Sequence, residues 1–352
     1  MDKQIYAAID ANINRALEGI RVCEDVMRFC LRRDDLSARL KEIRHGVAAA
    51  VKGFSRGLLL YGRDVDADAQ KFLDLVTERS RESIEELFAA NLHRAMEAVR
   101  SLEEFFKLAR HDGEENPFQR IRFSLYALER EAVPALRRQH TMRRFIRALY
   151  AILDSAYLPG GNLRGAAAAM IRGGASIIQL RMKTAGRKQL LAAATEIAGL
   201  CRAQQTLFIV NDHPDIAILT GADGLHLGMN DLGLRDARRI VPPYMIIGVT
   251  AYSPDDVLRS AEEGADYVAV GPVYDTVYHS GSGIITLTGV GVDVISRARS
   301  AVNIPIVAIG GITPEGAGAV ISAGADSVAV TSYLYKDNKI EENCRSMVRI
   351  LA

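Results

Sequence analysis

After Phe145 the chain repeats one pattern eight times: a short apolar, β-type run, then an Ala-rich stretch of helical length. The runs are ALYAIL (148–153), SIIQLR (176–181), LFIVN (207–211), GLHLG (224–228), IIGVT (246–250), YVAVG (267–271), PIVAIG (305–310) and SVAVT (327–331). Apolar, β-branched runs joined by helices are the mark of buried parallel strands. Eight such units in roughly 200 residues fit a compact (β/α)8 barrel. Four of the runs follow a recurring Gly-Ala-Asp/Ser, in GGASIIQL, TGADGLHL, EGADYVAV and AGADSVAV, ahead of strands two, four, six and eight. Each glycine is expected to end a helix in the left-handed conformation, and the small Ala to let the chain turn tightly into the strand. A doubly wound open sheet would show fewer strands and a Gly-rich first turn.

The first 138 residues follow a different pattern. Amphipathic stretches over 5–32, 36–54, 80–111 and 116–138 place apolar residues at three- and four-residue spacing. A turn-rich segment, LLLYGRDVDADAQK, separates the second from the third, and 130–144 reads as a helical, exposed connector marked by Pro134 and a basic cluster. The expected fold class is therefore α/β: a C-terminal (β/α)8 TIM barrel over 145–352, preceded by an all-α domain over 1–138. A net charge of +1 argues against a broad nucleic-acid surface. The opening MDKQIYAAID has no apolar core of a signal peptide, and no stretch reaches the length of a membrane span. The four cysteines form no C-x-x-C pair and read as reduced thiols of a cytoplasmic protein.

Barrel active sites lie at the C-terminal strand ends. Strand two ends in Gln179, Arg181 and Lys183, which share one face of an extended chain, the last two forming an anion clamp. Strand three ends in Asn211-Asp212, and strand four leads through His226 to Asp231. Two carboxylates on neighbouring strand ends suit Mg²⁺. Strand five ends in Thr250, strand six runs into GPVYDT (271–276), strand seven ends in Gly310-Gly311 just before a helix, and strand eight in Thr331-Ser332. Glycines at a helix N-terminus let backbone N–H groups approach a phosphate. Singly, these are ordinary turn, cap and solvated-edge residues. Together on one rim, two anion sites and one metal site imply two phosphorylated groups in one pocket.

These motifs resemble those of thiamine phosphate synthase. QLRMK, NDH, HLGMND, GVT, GPVYDT and GGI stand in the order of that family's motifs across the whole second domain. The resemblance implies that hydroxymethylpyrimidine diphosphate and thiazole phosphate combine to thiamine phosphate and diphosphate. It implies Mg²⁺ on Asp212 and Asp231, and the pyrimidine diphosphate near Gln179, Arg181, Lys183 and Asn211. Thr250 stands for a serine near the leaving group, Thr276 lies on the thiazole phosphate side, and Gly310, Gly311, Thr331 and Ser332 fall around that phosphate. Two positions depart from the family: Val277-Tyr278-His279 stand where a Thr-Lys follows Thr276, making His279 the candidate diphosphate donor, and Met229 replaces a Gln.

The helical domain contains its own repeat. ANINRALEGIRVCED (11–25) and ANLHRAMEAVRSLEE (90–104) align at a constant offset of 79 residues. Asn12/Asn91, Arg15/Arg94, Glu18/Glu97, Arg21/Arg100 and Glu24/Glu103 correspond, which implies a duplicated helical hairpin. The same spacing suits a salt-bridged face, with Arg15 paired to Glu18 and Arg21 to Glu24 or Asp25. It also suits a cradle for phosphates and a metal, with His45, Arg63 and Asp64 adding polar groups. No P-loop is present. The segment is similar to a helical hydroxymethylpyrimidine phosphate kinase domain often fused to thiamine phosphate synthase. That resemblance implies ATP as a substrate, arginines on phosphates, and Glu18, Glu97 or Asp64 on Mg²⁺ or the substrate hydroxyl. The expected partners are small phosphorylated pyrimidines and thiazoles, with self-association left open. The alternatives are an active synthase carrying a non-catalytic dimerisation or docking module, and a barrel that binds without turnover.

Overall fold

The structure, a computed structural model, describes residues 3–63, 80–109, 115–280 and 283–352. It divides into two units, Met1–Gln139 and His140–Ala352.

The first unit is helical: α1 (Lys3–Asp25) with a π turn over Val26–Cys30, α2 (Asp34–Ala50), α3 (Arg56–Gly62), α4 (Ile84–Ala109) and α5 (Pro117–Arg143). Ile9, Ile13, Ala16, Ile20 and Cys23 recur at helical spacing on α1 and are buried with Phe88, Leu92 and Val99 of α4 and Phe118 and Leu125 of α5. The two copies of the repeat thus lie on packed helices. At Gly19 an added Cβ would come within 2.6 Å of the Asn91 carbonyl oxygen, so only glycine allows this approach. Two expectations are corrected. The start of the turn-rich segment, Leu58–Gly62, is helical and belongs to α3, where Leu59 is buried; residues 64–71 lie outside the described residues. The 130–144 connector is not a separate exposed piece, because α5 runs through Pro134 and buries Ala132 and Leu136 in the core.

The second unit is the expected barrel. Its strands are β1 (Leu149–Asp154), β2 (Ile177–Arg181), β3 (Leu207–Asn211), β4 (Gly224–Leu227), β5 (Ile246–Ala251), β6 (Tyr267–Val270), β9 (Ile306–Ile309) and β10 (Ser327–Val330). All eight pair in parallel and close β10 onto β1. Helices α6 (Leu163–Arg172), α7 (Arg187–Ala203), α8 (Pro214–Thr220), α9 (Leu234–Ile240), α10 (Pro254–Glu262), α11 (Asp293–Ala301), α12 (Pro314–Ser322) and α13 (Ile340–Leu351) complete the units. Between β6 and α11 an antiparallel hairpin, β7 (Thr276–Ser280) and β8 (Gly283–Leu287), stands outside the barrel sheet. In the sequence alone this segment reads as loop. Among the described residues no helix is long and apolar enough to cross a membrane.

The Gly-Ala-Asp repeat does what its composition predicts. Gly174, Gly221, Gly264 and Gly324 all have positive φ, and Ala175, Ala222, Ala265 and Ala325 are buried. The aspartates add something the sequence did not disclose. Asp223, Asp266 and Asp326 accept backbone N–H bonds from Phe208, Ile247 and Ile306, fastening each repeat to the start of the preceding barrel strand. Inside the barrel, Tyr150, Ile152, Ile177, Ile209, Ile246 and Tyr267 form a separate core closed by Phe145. Gly248 leaves the room Tyr267 needs, since a Cβ there would fall 1.9 Å from its ring.

Candidate active site

The C-terminal ends of the strands open on one cavity. Gln179, Arg181, Lys183, Asn211, Asp212, Asp231, Thr250, Thr276, His279, Gly310, Gly311, Thr331 and Ser332 all line it. These residues come from seven segments of the chain, and the closed barrel is what brings them together.

At its centre, Lys183 Nζ lies 2.5 Å from Asp212 Oδ2, and the Asp212 carboxyl is hydrogen-bonded to that of Asp231. Asp231 also accepts the Gly228 N–H at 2.7 Å. Asp212 has φ 65, a left-handed conformation held by its N–H bond to the His226 carbonyl at 2.8 Å. Burial, and then the neighbouring Asp231, push the Asp212 carboxyl up to about 6 against the pull of Lys183. Asp231 moves the other way: the Asp212 proton, the Gly228 N–H and Lys183 outweigh its burial. Two facing carboxylates, one raised and one lowered in pKa, are the pair that could hold a cation. The donor set is two oxygens, and no cluster of three or more His, Cys, Asp or Glu occurs among the described residues. That fits a Mg²⁺ ion, which keeps waters and takes substrate phosphate oxygens rather than an all-protein cage.

Arg181 is buried, forms an ion pair with buried Asp154, and donates to the His279 backbone carbonyl at 2.6 Å. It therefore joins the end of β1 to the β7–β8 hairpin. His279 packs edge-on against Tyr157 at 4.7 Å between centroids, and Tyr157 stacks on Tyr335 at 4.9 Å. Tyr335 in turn donates to the Ile152 carbonyl at 3.0 Å and accepts the Asp154 N–H at 2.9 Å. Gly310 and Gly311 have φ of 94 and 66. A Cβ on either would strike the 272–275 loop, within 2.5 Å of Pro272 and 2.6 Å of the Asp275 carbonyl, so packing also demands glycine here.

In the sequence alone Asp154, Tyr157, Tyr150 and Tyr267 carry no assigned role, and His226 stands only as part of a motif. Asp154 had a signal: a lone carboxylate ending an apolar strand on the site rim. The two tyrosines had none, because within YAIL and YVAV a phenol reads as core. His226 is 6% exposed, and burial lowers its pKa to about 4, so the imidazole is neutral.

In the first unit the repeat mates share surroundings. Asn12 donates to the Ala8 carbonyl and Asn91 to the Leu87 carbonyl, each at 2.8 Å, so these amides are engaged with their own helices. Arg21 pairs with Glu24 and Asp25 at 3.5 and 3.3 Å, and Arg100 with Glu103 and Glu104, both at 2.7 Å. Glu24 and Glu103 are buried, and each receives a second arginine: Arg44 on Glu24 at 2.9 Å and Arg122 on Glu103 at 2.8 Å. The pairing of Arg15 with Glu18 does not form. Arg15, Glu18, His45, Arg94 and Glu97 are exposed and have no side-chain partner among the described residues. Arg63 holds buried Asp10 bidentately at 2.7 and 2.9 Å, and Asp64 lies outside the described residues.

Comparison with known proteins gives the family. Residues 149–334 match the family model of thiamine monophosphate synthase, and residues 7–131 match that of the ThiD2 family. The thiamine-phosphate synthase of Synechococcus sp. (strain CC9311) is 35% identical over 99% of this chain and 97% of its own length. That of Nostoc sp. (strain PCC 7120) is 34% identical over 94% and 89%. Among solved structures, the thiamine phosphate pyrophosphorylase from Pyrococcus furiosus superposes with a TM-score of 0.53 at 30% identity, covering 59% of this chain and 97% of its own. The match to the synthase model over the barrel, and the near full-length relatives, establish that the chain belongs to the thiamine-phosphate synthase family.

Proposed function

We propose that the barrel joins hydroxymethylpyrimidine diphosphate to thiazole phosphate, releasing diphosphate and forming thiamine phosphate. The observation that carries this reading is the Asp212–Asp231 carboxylate pair set beside Lys183 and Arg181 in one cavity. Asp212 and Asp231 would hold Mg²⁺. When bound, the ion supplies positive charge to the diphosphate oxygens as they gain negative charge. Arg181 and Lys183 share that task. The bond from the benzylic-type carbon to the diphosphate oxygen breaks, and the aminopyrimidine ring stabilises the cation that remains. The thiazole nitrogen then forms the new C–N bond, and no proton needs to move. Gln179 and Asn211 orient the pyrimidine, Thr250 and His279 meet the leaving group, and Thr276, Gly310, Gly311, Thr331 and Ser332 hold the thiazole phosphate. The barrel's contribution is chiefly to hold two substrates in register and exclude water.

For the helical unit we propose hydroxymethylpyrimidine phosphate kinase activity with ATP, which would supply the barrel's substrate in the cytoplasm. The exposed Arg15, Arg94, Glu18 and Glu97 support it, being charges with no side-chain partner among the described residues. A second reading, a non-catalytic dimerisation or docking module, draws support from the ion pairs that occupy Arg21 and Arg100. Incubating the chain with ATP, Mg²⁺ and the pyrimidine monophosphate separates the two. ADP and pyrimidine diphosphate are expected, and no ADP beyond the protein-free control rejects the kinase.

A further inference from the structure

Two phenols and an imidazole connect Gln179 to Thr250 through the barrel interior. Gln179 Nε2 donates to the Tyr150 hydroxyl at 2.7 Å. That hydroxyl lies 2.9 Å from the Tyr267 hydroxyl, which lies 3.1 Å from His226 Nδ1. His226 Nε2 lies 3.1 Å from Thr250 Oγ1. Five residues on five strands form one unbranched chain of hydrogen bonds. Its two ends line the cavity, whereas neither tyrosine does. Tyr150 and Tyr267 are 1% and 0% exposed. Burying polar groups this deeply is costly unless each is paired, and apolar rings would fill the space without that constraint.

Counting hydrogens restricts the chain to two states. Each phenol, the threonine and the neutral imidazole has one hydrogen to place. In the first state Gln179 donates to Tyr150, Tyr150 to Tyr267 and Tyr267 to Nδ1. Nε2–H then donates to Thr250, whose own hydrogen is free to point into the cavity. In the second state every bond reverses: Thr250 spends its hydrogen on Nε2 and presents only lone pairs to the cavity, while the Gln179 amide turns to accept. Any mixture sets two hydrogens or two lone pairs against each other, or leaves a buried phenol hydrogen without an acceptor. Both ring nitrogens of buried His226 meet hydroxyls and neither is hydrogen-bonded to a carboxylate, so one ring hydrogen suffices and the count holds. An anionic oxygen at Thr250 selects the first state, because a charged acceptor rewards a donor and repels lone pairs.

We infer that Tyr150, Tyr267 and His226 are positioning residues, a proton-ordered relay that fixes Thr250 as a donor to an anionic leaving group and commits one Gln179 N–H away from the substrate. The inference rests on the synthase reading for what Thr250 meets. Its consequence is specificity at both ends. Thr250 favours a phosphate oxygen, and Gln179 keeps one N–H and its carbonyl for a ring edge that offers an acceptor and a donor.

The test uses the full chain labelled with ¹⁵N at histidine, with inorganic diphosphate and Mg²⁺ added. His226 is identified by the signals lost in His226→Gln. The relay predicts a neutral Nε2–H tautomer, and a shift of population toward Nδ1–H in Tyr267→Phe, which keeps the ring and removes the donor to Nδ1. An Nδ1–H tautomer in the wild type, or a tautomer indifferent to Tyr267→Phe, overturns it. The kinetic arm compares Thr250→Val in the wild-type and Tyr267→Phe backgrounds. The loss in kcat should be at least about threefold smaller once the relay is cut, with KM for thiazole phosphate unchanged within about twofold. Equal losses in both backgrounds also overturn it. A chain that makes no thiamine phosphate at all rejects the synthase reading instead, and the tautomer measurement still decides the relay.

Discussion

Lys183 Nζ lies 2.5 Å from Asp212 Oδ2, and the same Asp212 carboxyl is hydrogen-bonded to Asp231. One ammonium thus faces two carboxylates, too little positive charge for both to ionise freely in a half-buried site. Replacing Asp231 with Asn removes the conflict. Asp231→Asn should leave metal-free thermal stability unchanged or slightly raised, a gain of up to about 1 kcal/mol. In the wild type, Mg²⁺ at about ten times its dissociation constant should add about 1.4 kcal/mol, or a rise in Tm of about 3–5 °C. The variant should show no such rise. Differential scanning calorimetry with and without Mg²⁺ checks both, and an equal rise in the variant would remove Asp231 from the metal site.

Arg181 is buried against Asp154, and removing one partner of a buried pair leaves the other charge without compensation. Asp154→Ala should cost about 3–5 kcal/mol in urea unfolding. Asp154→Asn, which keeps an acceptor, should cost less. Both should lower kcat for thiamine phosphate formation by at least about tenfold, because the Arg181 guanidinium loses its fixed orientation. Full activity in either variant would show that Arg181 needs no such support.

The repeat of the helical unit divides into bracing and free charges. Glu103→Ala strips buried Glu103 from Arg100 and Arg122 and should destabilise the protein by about 1–3 kcal/mol. Arg15→Ala and Arg94→Ala should stay within about 0.5 kcal/mol of the wild type. If the unit is a kinase, each should nevertheless reduce ADP formation at least about tenfold. Normal ADP formation in both would return the arginines to the surface.

Thiol chemistry reports on burial independently of activity. Burial pushes Cys23, Cys201 and Cys344 up to about 12, whereas Cys30 is half-buried. A raised pKa lowers the thiolate fraction, and the thiolate is the form that reacts. At pH 8 iodoacetamide should therefore modify Cys30 first and the other three only in denaturant. Raising the pH to 9 should not expose them, because it is still far below their titration. Peptide mass spectrometry of the native protein checks this, and early modification of Cys201 would contradict the packing behind β3.

The barrel was legible because buried parallel strands carry an unbroken apolar signature, and LFIVN at 207–211 is β3 to the residue. Strand-end polar residues were legible for the same reason, since a charge that closes an apolar run points to the rim. What escaped notice was set by partners from elsewhere in the chain. The burial of Glu24 and Glu103 depends on Arg44 and Arg122, which lie on other helices. The roles of Tyr150 and Tyr267 appear only when β1 and β6 face each other across the barrel. Strand β8 is mostly exposed, and the alternation in TVYHS and GIITL is a weak signal beside the continuous strands around it. Helix α3 was missed because LLLYG runs straight into the polar RDVDAD.

One assay tests the joining reaction itself. The full chain is given hydroxymethylpyrimidine diphosphate, thiazole phosphate and Mg²⁺ without ATP, beside Asp212→Ala, and the products are followed by mass spectrometry. Thiamine phosphate and diphosphate should appear in equal amounts with the wild type, with the rate reduced at least about a hundredfold in Asp212→Ala. No thiamine phosphate from the wild type, or an undiminished rate in the variant, would contradict the proposed site.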